Sequence, residues 1–267
     1  MGERMKKIVM IGYGAMAQAV MPLLPEDVKV GWLVVMPQDV AKTQAIVGDE
    51  IKVISRISEI DGQPDCAVEM AGQLGLKAHL FDLISAGIDV GVISVGTFAD
   101  SLFQKQVEQA AKEHQVKISI LSGAIAGIDG LASAKLAGLD SVLYQGRKNP
   151  RSWKGSYAEE LVDLDQLENA TTFFKGSARE AAKRFPANAN VAATLALAGI
   201  GMDETEVELI ADPEMARNQH KIIAQGKFGA MEIVMMGVPL ESNPKTSMLA
   251  ALSVARFCRQ LDDALLI

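Results

Sequence analysis

Cysteine is nearly absent from this sequence. Among 267 residues there are only two, Cys66 and Cys258. Two thiols are too few for a disulfide framework or for a metal site built from cysteines. We therefore expect a protein of a reducing compartment, the cytoplasm being the simplest location.

Long apolar runs and an excess of positive charge are also missing. No stretch reaches the ~18 uninterrupted apolar residues that a membrane span requires, so we expect a soluble protein without a membrane partner. The chain carries 26 basic and 33 acidic side chains, a net charge of −7, which argues against a nucleic-acid partner. The acidic residues Asp203, Glu204 and Asp212 lack the spacing of a metal site, and we predict no metal.

The remaining composition is that of an ordinary globular protein, 49% hydrophobic and 22% charged. Strand-like and helix-like segments alternate in the first part, which predicts a parallel sheet with crossover helices. The fold class we expect is α/β, an N-terminal Rossmann-like parallel sheet followed by a second α+β domain built on a mostly antiparallel sheet. The expected domains are a dinucleotide-binding domain at 1–122, a substrate, catalytic and oligomerisation domain at 123–242, and a C-terminal helix at 243–267 that completes the first domain.

The patterns also predict individual elements. In the first part, strands after the initial one are expected at residues 28–36, 65–71, 90–94 and 117–121, with helices at 74–86 and 100–113. In the second part, strands are expected at 141–145, 205–211, 220–224 and 230–236, with helices at 178–185 and 191–198. Residues 145–157 are expected to form a polar insertion, and a long helix is expected over 243–265 because a proline stands just inside its start.

A glycine turn follows the first apolar strand. Its pattern is G-x-G-x-x-A, formed by Gly12, Gly14 and Ala17. Gly12 permits the chain reversal, Gly14 lets the backbone approach a pyrophosphate, and Ala17 allows close packing of the helix. The phosphates would lie on the free N–H groups of the helix start, at Ala15 and Met16. The turn predicts a dinucleotide site, the alternative being an ordinary strand-to-helix turn.

The choice between NAD and NADP stays open. Sites specific for NAD carry an acidic residue about 20 positions after the glycines, where it binds the ribose hydroxyls. Asp39 fits that role only if its loop bends inward, and Lys42 is the one nearby cation that could meet a 2′-phosphate. Both cofactors remain possible.

Three histidines are present, and they differ in context. His79 and His114 lie on expected crossover helices, where a structural role is the better interpretation. His220 lies at the start of an expected strand in the second domain. Because an imidazole titrates near neutral pH, His220 could act as a general base on an amine or a water. A structural role for a strand histidine is the alternative.

Small and amide residues mark further candidate positions. Asn188 and Asn190 precede a helix of small residues, where one can cap the helix while the other reaches a ligand. Ala124 follows the last strand of the first part, at the sheet edge where ligands collect in α/β folds. Lys245, at the start of the last expected helix, could meet an anion, although helix capping with a solvated charge explains it equally well.

Together these segments resemble the L-aspartate dehydrogenase family. Beside the glycine turn, the match runs through LSGAIAGID at 121–129, FPANANVAAT at 185–194, IADP at 210–213, NQH at 218–220 and NPKTS at 243–247. The glycine turn is shared by many dehydrogenases, whereas the asparagine-rich segment followed by the histidine is far more specific. The resemblance extends over essentially the whole chain.

This resemblance implies reversible, NAD(P)-dependent oxidative deamination of L-aspartate to iminoaspartate, which hydrolyses to oxaloacetate and ammonia. It also implies that iminoaspartate feeds NAD biosynthesis. His220 then matches the active-site residue of the family, and Ala124 and Asn190 match positions that contact the cofactor. The two substrate carboxylates need cations or N–H donors, for which Lys221, Arg217 and Lys245 are candidates.

Two other functions compete with this one. A related two-domain reductase, of the dihydrodipicolinate reductase or homoserine dehydrogenase type, would share the architecture, because fold alone does not fix the substrate. A non-catalytic dinucleotide-binding sensor would need the glycine turn but not His220. A homodimer is expected because the antiparallel sheet has a face or an edge that a second subunit could cover.

Overall fold

A six-stranded parallel sheet forms the first part of the molecule. The computed structural model describes residues 4–186 and 189–266, with the backbone alone at positions 244 and 245. All neighbouring strands of this sheet run parallel, in the order β3-β2-β1-β4-β5-β6. The strands are β1 (Lys6–Ile11), β2 (Val28–Val34), β3 (Lys52–Ile54), β4 (Cys66–Glu69), β5 (Val90–Val92) and β6 (Ile118–Ile120).

α-Helices connect most of these strands, as in other sheets buried on both faces, whereas a short 3-10 turn (Ile57–Glu59) lies between β3 and β4. The α-helices are α1 (Ala15–Val20), α2 (Val40–Val47), α3 (Gly72–Ser85) and α4 (Ser101–Glu113). The start of α4 is fixed by Asp100, whose side chain accepts hydrogen bonds from the backbone N–H groups of Leu102 and Phe103. The Rossmann-like parallel sheet expected from the sequence is confirmed.

The second part contains a five-stranded sheet in the order β11-β10-β7-β9-β8. Its strands are β7 (Leu139–Lys148), β8 (Thr171–Ser177), β9 (Glu206–Ala211), β10 (Asn218–Gly226) and β11 (Gly229–Gly237), and its helices are α5 (Ile128–Ala137), α6 (Ala178–Arg184) and α7 (Ala189–Ala198). Only β7 and β9 pair in parallel. The mostly antiparallel α+β arrangement is likewise confirmed.

The expected helix over 243–265 is wrong at both ends. Residues Asn243–Ser247 form β13, which pairs with β12 (Pro239–Leu240), and the last helix, α8, covers only Met248–Arg259. A proline disfavours helical backbone in the residue before it, here Asn243. Residues 243–247 therefore form a strand, and Pro244 does not mark the first turn of a helix.

The expected polar insertion at 145–157 is also wrong in part. Its first residues continue β7 as far as Lys148, and Trp153 is completely buried. The indole N–H of Trp153 donates to the backbone carbonyl of Ile210 at 3.1 Å, and the ring packs edge-on against Phe173. Several described elements have no counterpart among the predicted ranges, namely α2, β3, α5, β8 and β12 (Pro239–Leu240).

Two compact units make up the chain, one comprising Met1–Gly123 with Ala250–Ile267 and the other Ala124–Leu249. In the first unit α8 packs on the sheet, where a side chain at Gly91 would meet the ring of Phe257. None of the helices within the described ranges is long and apolar enough to cross a membrane.

Candidate active site

The glycine turn begins where β1 ends. Gly12 has a φ of +91°, a value that side-chain-bearing residues rarely adopt, and a Cβ there would lie 2.9 Å from the Cα of Ala71. The backbone N–H of Gly12 donates to the carbonyl of Val34 at 2.8 Å. Gly12 is thus required both by its backbone conformation and by the close approach of the loop after β4.

Gly14 is a glycine for a different reason. Its backbone is extended, and no heavy atom lies within 4 Å of the position that a Cβ would occupy. Gly14 directly precedes α1, whose first residues, Ala15 and Met16, have no intrahelical acceptors for their N–H groups. Ala17 is fully buried and brings the helix close to the sheet. An open space in front of free N–H groups is the cradle that a pyrophosphate needs.

The loop after β2 carries the residues that could distinguish NAD from NADP. Residues Pro37–Asp39 form a short 3-10 turn, and Asp39 stands half-buried before α2 without capping that helix through its side chain. Lys42 is exposed on α2. Both remain available to a ribose or to its phosphate.

A buried carboxylate that the sequence patterns did not indicate stands beside the glycine turn. Glu69, at the end of β4, is fully buried and lies opposite Ile11 in the sheet. Its Oε1 accepts from the N–H of Ala71 at 2.8 Å and from Ser94 Oγ at 2.8 Å, and its Oε2 accepts from the N–H of Ser94 at 3.1 Å. Burial raises the pKa of Glu69, while these donors act against that shift. Glu69 therefore ties the loop after β4 to the loop after β5.

In the second unit, His220 lies on β10 and is 6% exposed. Its Nδ1 is 2.8 Å from the hydroxyl oxygen of Tyr144 on the neighbouring strand β7. Burial, followed by the positive charge of Lys148, lowers the pKa of His220 to about 4. The imidazole is therefore neutral at pH 7.

Lys148 lies at the end of β7, on the same sheet face as Tyr144 because side chains four residues apart in a strand point the same way. Its Nζ is 4.9 Å from the ring centre of Trp153. Burial lowers the pKa of Lys148 to about 8. The face thus combines a neutral imidazole, a phenol and a cation whose pKa lies close to neutral pH.

The chain is similar to known dehydrogenases over almost its whole length. Residues 129–261 match the family model described as aspartate dehydrogenase, C-terminal, and residues 12–121 match that of the homoserine dehydrogenase NAD binding domain. An L-aspartate dehydrogenase of Acinetobacter baumannii is 54% identical, over 98% of this chain and 99% of its own length. One from Serratia proteamaculans is 49% identical, over 97% and 98%.

This chain belongs to the L-aspartate dehydrogenase family. The crystal structure of aspartate dehydrogenase from Thermotoga maritima has the same fold, with a TM-score of 0.79 and 24% identity over 99% of this chain and 100% of that one. The family resemblance deduced from the sequence motifs is confirmed. As a member of this family with an NAD-binding domain, the chain is an oxidoreductase that uses NAD(P).

The other predicted site residues of the second unit lie in different settings. Ala124 is half-buried ahead of α5. Gly127, which precedes α5, contacts Ile233 on β11, so α5 begins over the face that carries His220. Asn190 is exposed in the first turn of α7, and its backbone carbonyl accepts from Thr194 Oγ1 at 2.9 Å. Asn188 lies outside the described residues.

Among the predicted cations, Lys221 is placed less favourably than Lys148. Lys221 follows His220 and therefore points to the opposite face of the sheet, where its Nζ lies 2.8 Å from Glu232 Oε1. Lys245 belongs to the strand β13 rather than to a helix start, and its side chain is outside the described part of the chain. Strand alternation from 139 to 148 is the signal that could have identified Tyr144 and Lys148, provided that β7 had been predicted at its full length.

The two remaining histidines are in the first unit. His79 is half-buried on α3, and burial lowers its pKa, while His114 is exposed at the end of α4. Among the residues that the structure describes, no group of three or more His, Cys, Asp or Glu side chains could hold a metal ion.

Proposed function

We propose that this chain catalyses the NAD(P)-dependent oxidative deamination of L-aspartate to iminoaspartate, which hydrolyses to oxaloacetate and ammonia, and also the reverse reaction. The observation that carries this proposal is the composition of one face of the second sheet, the face over which α5 begins. There the neutral His220 and the cation of Lys148 lie on the same side of the sheet. This environment suits a substrate with two carboxylates and a reacting amine. The family relationship over almost the whole chain supports the same reaction.

The glycine turn would hold the cofactor through its pyrophosphate. The backbone N–H groups of Ala15 and Met16 would bind the phosphates, with Gly12 and Gly14 leaving room for them. Ala124 and Asn190 are proposed as further cofactor contacts, on the family motifs that contain them. Bound NAD(P) supplies the acceptor for the hydride that leaves the substrate Cα.

His220 is the proposed catalytic residue, in contact with the reacting amino acid. Because its pKa is about 4, the ring is uncharged across the range in which the amine and the attacking water exchange protons. A neutral imidazole can form a hydrogen bond with either of these groups. The same low pKa makes the imidazolium form costly.

Lys148 is our proposal for the group that binds a substrate carboxylate. It shares the face of His220, whereas Lys221 lies on the other face of the sheet, with its Nζ 2.8 Å from Glu232 Oε1. A half-buried ammonium forms stronger charge-assisted hydrogen bonds than one in open solvent. Asn188 and Lys245 remain predicted substrate contacts on their motifs alone.

The alternative functions are less well supported. A dihydrodipicolinate reductase from Paenisporosarcina has a similar fold, with a TM-score of 0.55, but is only 11% identical in sequence. The family model for the first part of the chain is named after homoserine dehydrogenase, yet it covers only residues 12–121. A sensor would bind the dinucleotide without requiring His220.

A direct assay separates these possibilities. NAD(P)H formation would be followed with aspartate, homoserine and other amino acids, for the unaltered enzyme and for His220→Ala. We expect aspartate to be the preferred substrate and His220→Ala to lower kcat/KM by about 100-fold or more, the loss typical of removing either a positioned proton-transfer group or a hydrogen-bond donor aimed at the reacting oxygen.

The matched control is His114→Ala, because His114 is exposed on the first unit, far along the chain from the proposed chemistry. It should leave turnover unchanged. Undiminished aspartate turnover in His220→Ala would contradict a catalytic role for His220. A lack of aspartate turnover by the unaltered enzyme would contradict aspartate as the substrate.

Three further properties are proposed on narrower grounds. A homodimer is supported by the edge strand β11, where the side chains of Val234 and Met236 are 45% and 56% exposed. A cytoplasmic location is supported by the scarcity of cysteine, since Cys66 and Cys258 are both buried and are not joined in a disulfide. Supply of iminoaspartate to NAD biosynthesis follows only if the reaction itself is established.

A further inference from the structure

Tyr144 and His220 form a hydrogen-bonded pair on the face of the second sheet over which α5 begins. Tyr144 is opposite Ile222 and His220 is opposite Gly146, so the two side chains are diagonal neighbours on β7 and β10. Their rings lie nearly parallel, with centroids 6.0 Å apart and an angle of 17° between planes. The hydroxyl oxygen and Nδ1 are separated by 2.8 Å, an ordinary hydrogen-bond distance.

Gly146 makes room for this contact. A Cβ at Gly146 would lie 2.8 Å from the Tyr144 hydroxyl oxygen and 3.2 Å from the ring carbon that carries it. The missing side chain therefore lets the phenol extend along β7 to reach the imidazole across the strand gap. Any larger residue at 146 would push the hydroxyl away from Nδ1.

The direction of the hydrogen bond follows from the burial of Tyr144, which is 3% exposed. Burial raises the pKa of its phenol, so the hydroxyl keeps its hydrogen. Within residues 4–186 and 189–266, His220 Nδ1 is the only hydrogen-bond partner of that hydroxyl. If Nδ1 carried the hydrogen instead, the phenol hydrogen would be buried without an acceptor, at a cost that folded proteins avoid.

We propose that Tyr144 is a positioning residue, which donates to Nδ1 of His220 and holds the ring in the tautomer with its hydrogen on Nε2. His220 then meets the substrate as a hydrogen-bond donor, suited to a carboxylate or carbonyl oxygen. This inference deepens the proposed function and rests on it for the identity of the ligand. In this tautomer His220 begins the reaction as a hydrogen-bond donor and not as the general base that the titration range of histidine alone predicted.

The neighbouring charge acts in the same direction. Burial and, after it, the positive charge of Lys148 both disfavour a positive charge on the imidazole, so the ring stays neutral. A neutral ring with one hydrogen must be an acceptor at one nitrogen and a donor at the other. With Nδ1 occupied as the acceptor, the donor faces away from Tyr144.

The first test is spectroscopic and does not depend on turnover. The full-length protein would be labelled with ¹⁵N-histidine, and the ring nitrogens would be correlated with the ring protons at pH 7. With only three histidines in the chain, the signals of His220 are identified by their loss in His220→Gln. We expect Nε2 to be protonated and Nδ1 to show the upfield displacement of a nitrogen that accepts a hydrogen bond.

Tyr144→Phe keeps the ring and removes only the hydroxyl. In this variant the Nδ1 signal should move downfield, to the position of an unbonded nitrogen, while the fold is unchanged by circular dichroism. Gly146→Ala should cause the same displacement by moving the hydroxyl. A protonated Nδ1 in the unaltered protein, or an unmoved signal in Tyr144→Phe, would overturn the proposal.

Kinetics supply the second test. Tyr144→Phe should lower kcat by roughly tenfold, the rate equivalent of one well-placed hydrogen bond. His220→Gln, whose amide N–H can reach the position of Nε2, should retain at least tenfold more kcat/KM than His220→Asn, whose amide reaches only the position of Nδ1.

The two proposals fail in different ways. Equal activity of the Gln and Asn variants would contradict the donor role. A lack of aspartate turnover in the unaltered enzyme would instead overturn the proposed function. The nitrogen spectrum reports the tautomer of His220 independently of turnover.

Discussion

At the scale of single residues, the glycines of the first turn show how one residue type serves two purposes. Gly12 is required by the fold, because its φ is positive and Ala71 lies against it. Gly14 is not, since its backbone is extended and the space before it is open. A substitution at Gly14 should therefore affect the ligand and not the fold.

We predict that Gly14→Val weakens NAD binding by at least about tenfold, or ~1.4 kcal/mol, because its side chain would occupy the phosphate space. Titration of the intrinsic fluorescence with NAD measures this, and thermal unfolding should be unchanged. Gly14→Ala, with a smaller group, should have an intermediate effect. An unaltered affinity in folded Gly14→Val would show that the phosphates do not lie there.

The buried carboxylate of Glu69 offers a second test at this scale. Both of its oxygens accept from backbone N–H groups, so an amide at this position would direct its own hydrogens at one of the donors. We expect Glu69→Gln to lower the free energy of unfolding by about 1–3 kcal/mol in urea at pH 7. The exposed Glu50→Gln should stay within about 0.5 kcal/mol. Equal stability of the two variants would mean that Glu69 is protonated in the folded protein.

At the scale of elements, local sequence signals predicted some helix boundaries correctly and others wrongly. The helix α6 begins at a capping box, in which Ser177 Oγ accepts from the N–H of Glu180 and the Glu180 carboxylate accepts from the N–H of Ser177. Its start was predicted correctly from the sequence. Residues Asn243–Ser247, which were expected to begin a helix, form the strand β13 instead. Pairing with β12 competes with any helical preference of this five-residue segment.

We predict that Ser177→Ala lowers the free energy of unfolding by about 1 kcal/mol, since α6 loses the cap that satisfies one free N–H. Urea unfolding with a tryptophan fluorescence signal is a suitable measurement, because Trp153 packs in the same unit. Ser101→Ala is the matched control, as Ser101 begins α4 but Asp100 provides the cap there. Equal losses in the two variants would contradict a specific role for the box.

At the scale of the whole molecule, the burial of His220 links stability to pH. Its pKa is about 4 in the folded protein and about 6.5 in an unfolded chain. Between these values the unfolded chain binds more protons, so stability falls as the pH is lowered from 6.5 to 4. The loss attributable to this one group is at most about 3 kcal/mol.

We therefore predict that the urea concentration at the midpoint of unfolding decreases as the pH is lowered from 7 to 5. In His220→Gln this decrease should be smaller, because glutamine does not titrate. The comparison of slopes cancels the contribution of the remaining acidic and basic groups. Parallel slopes in the two proteins would mean that His220 titrates normally when folded.

The proposed dimer is also tested at this scale. Val234 and Met236 point to the same face of the edge strand β11. Met236→Lys should shift the protein towards the monomer in light scattering, because a charge would be buried in the interface. Gln225→Lys, an exposed position on β10, should leave the mass unchanged. A monomeric mass for the unaltered protein would contradict the dimer.

The sequence by itself determined the local and periodic features of this protein: the parallel first sheet, the glycine turn, the mostly antiparallel second sheet and the family motifs that contain His220. These follow from short-range rules, in which a few neighbouring residues specify a strand, a turn or a cap. The tertiary structure decided which side chains meet. Tyr144 lies 76 residues before His220, Gly146 provides the space between them, and strand alternation directs Lys148 towards His220 and Lys221 away from it. Such contacts depend on the pairing and register of β7 and β10, which no local pattern encodes.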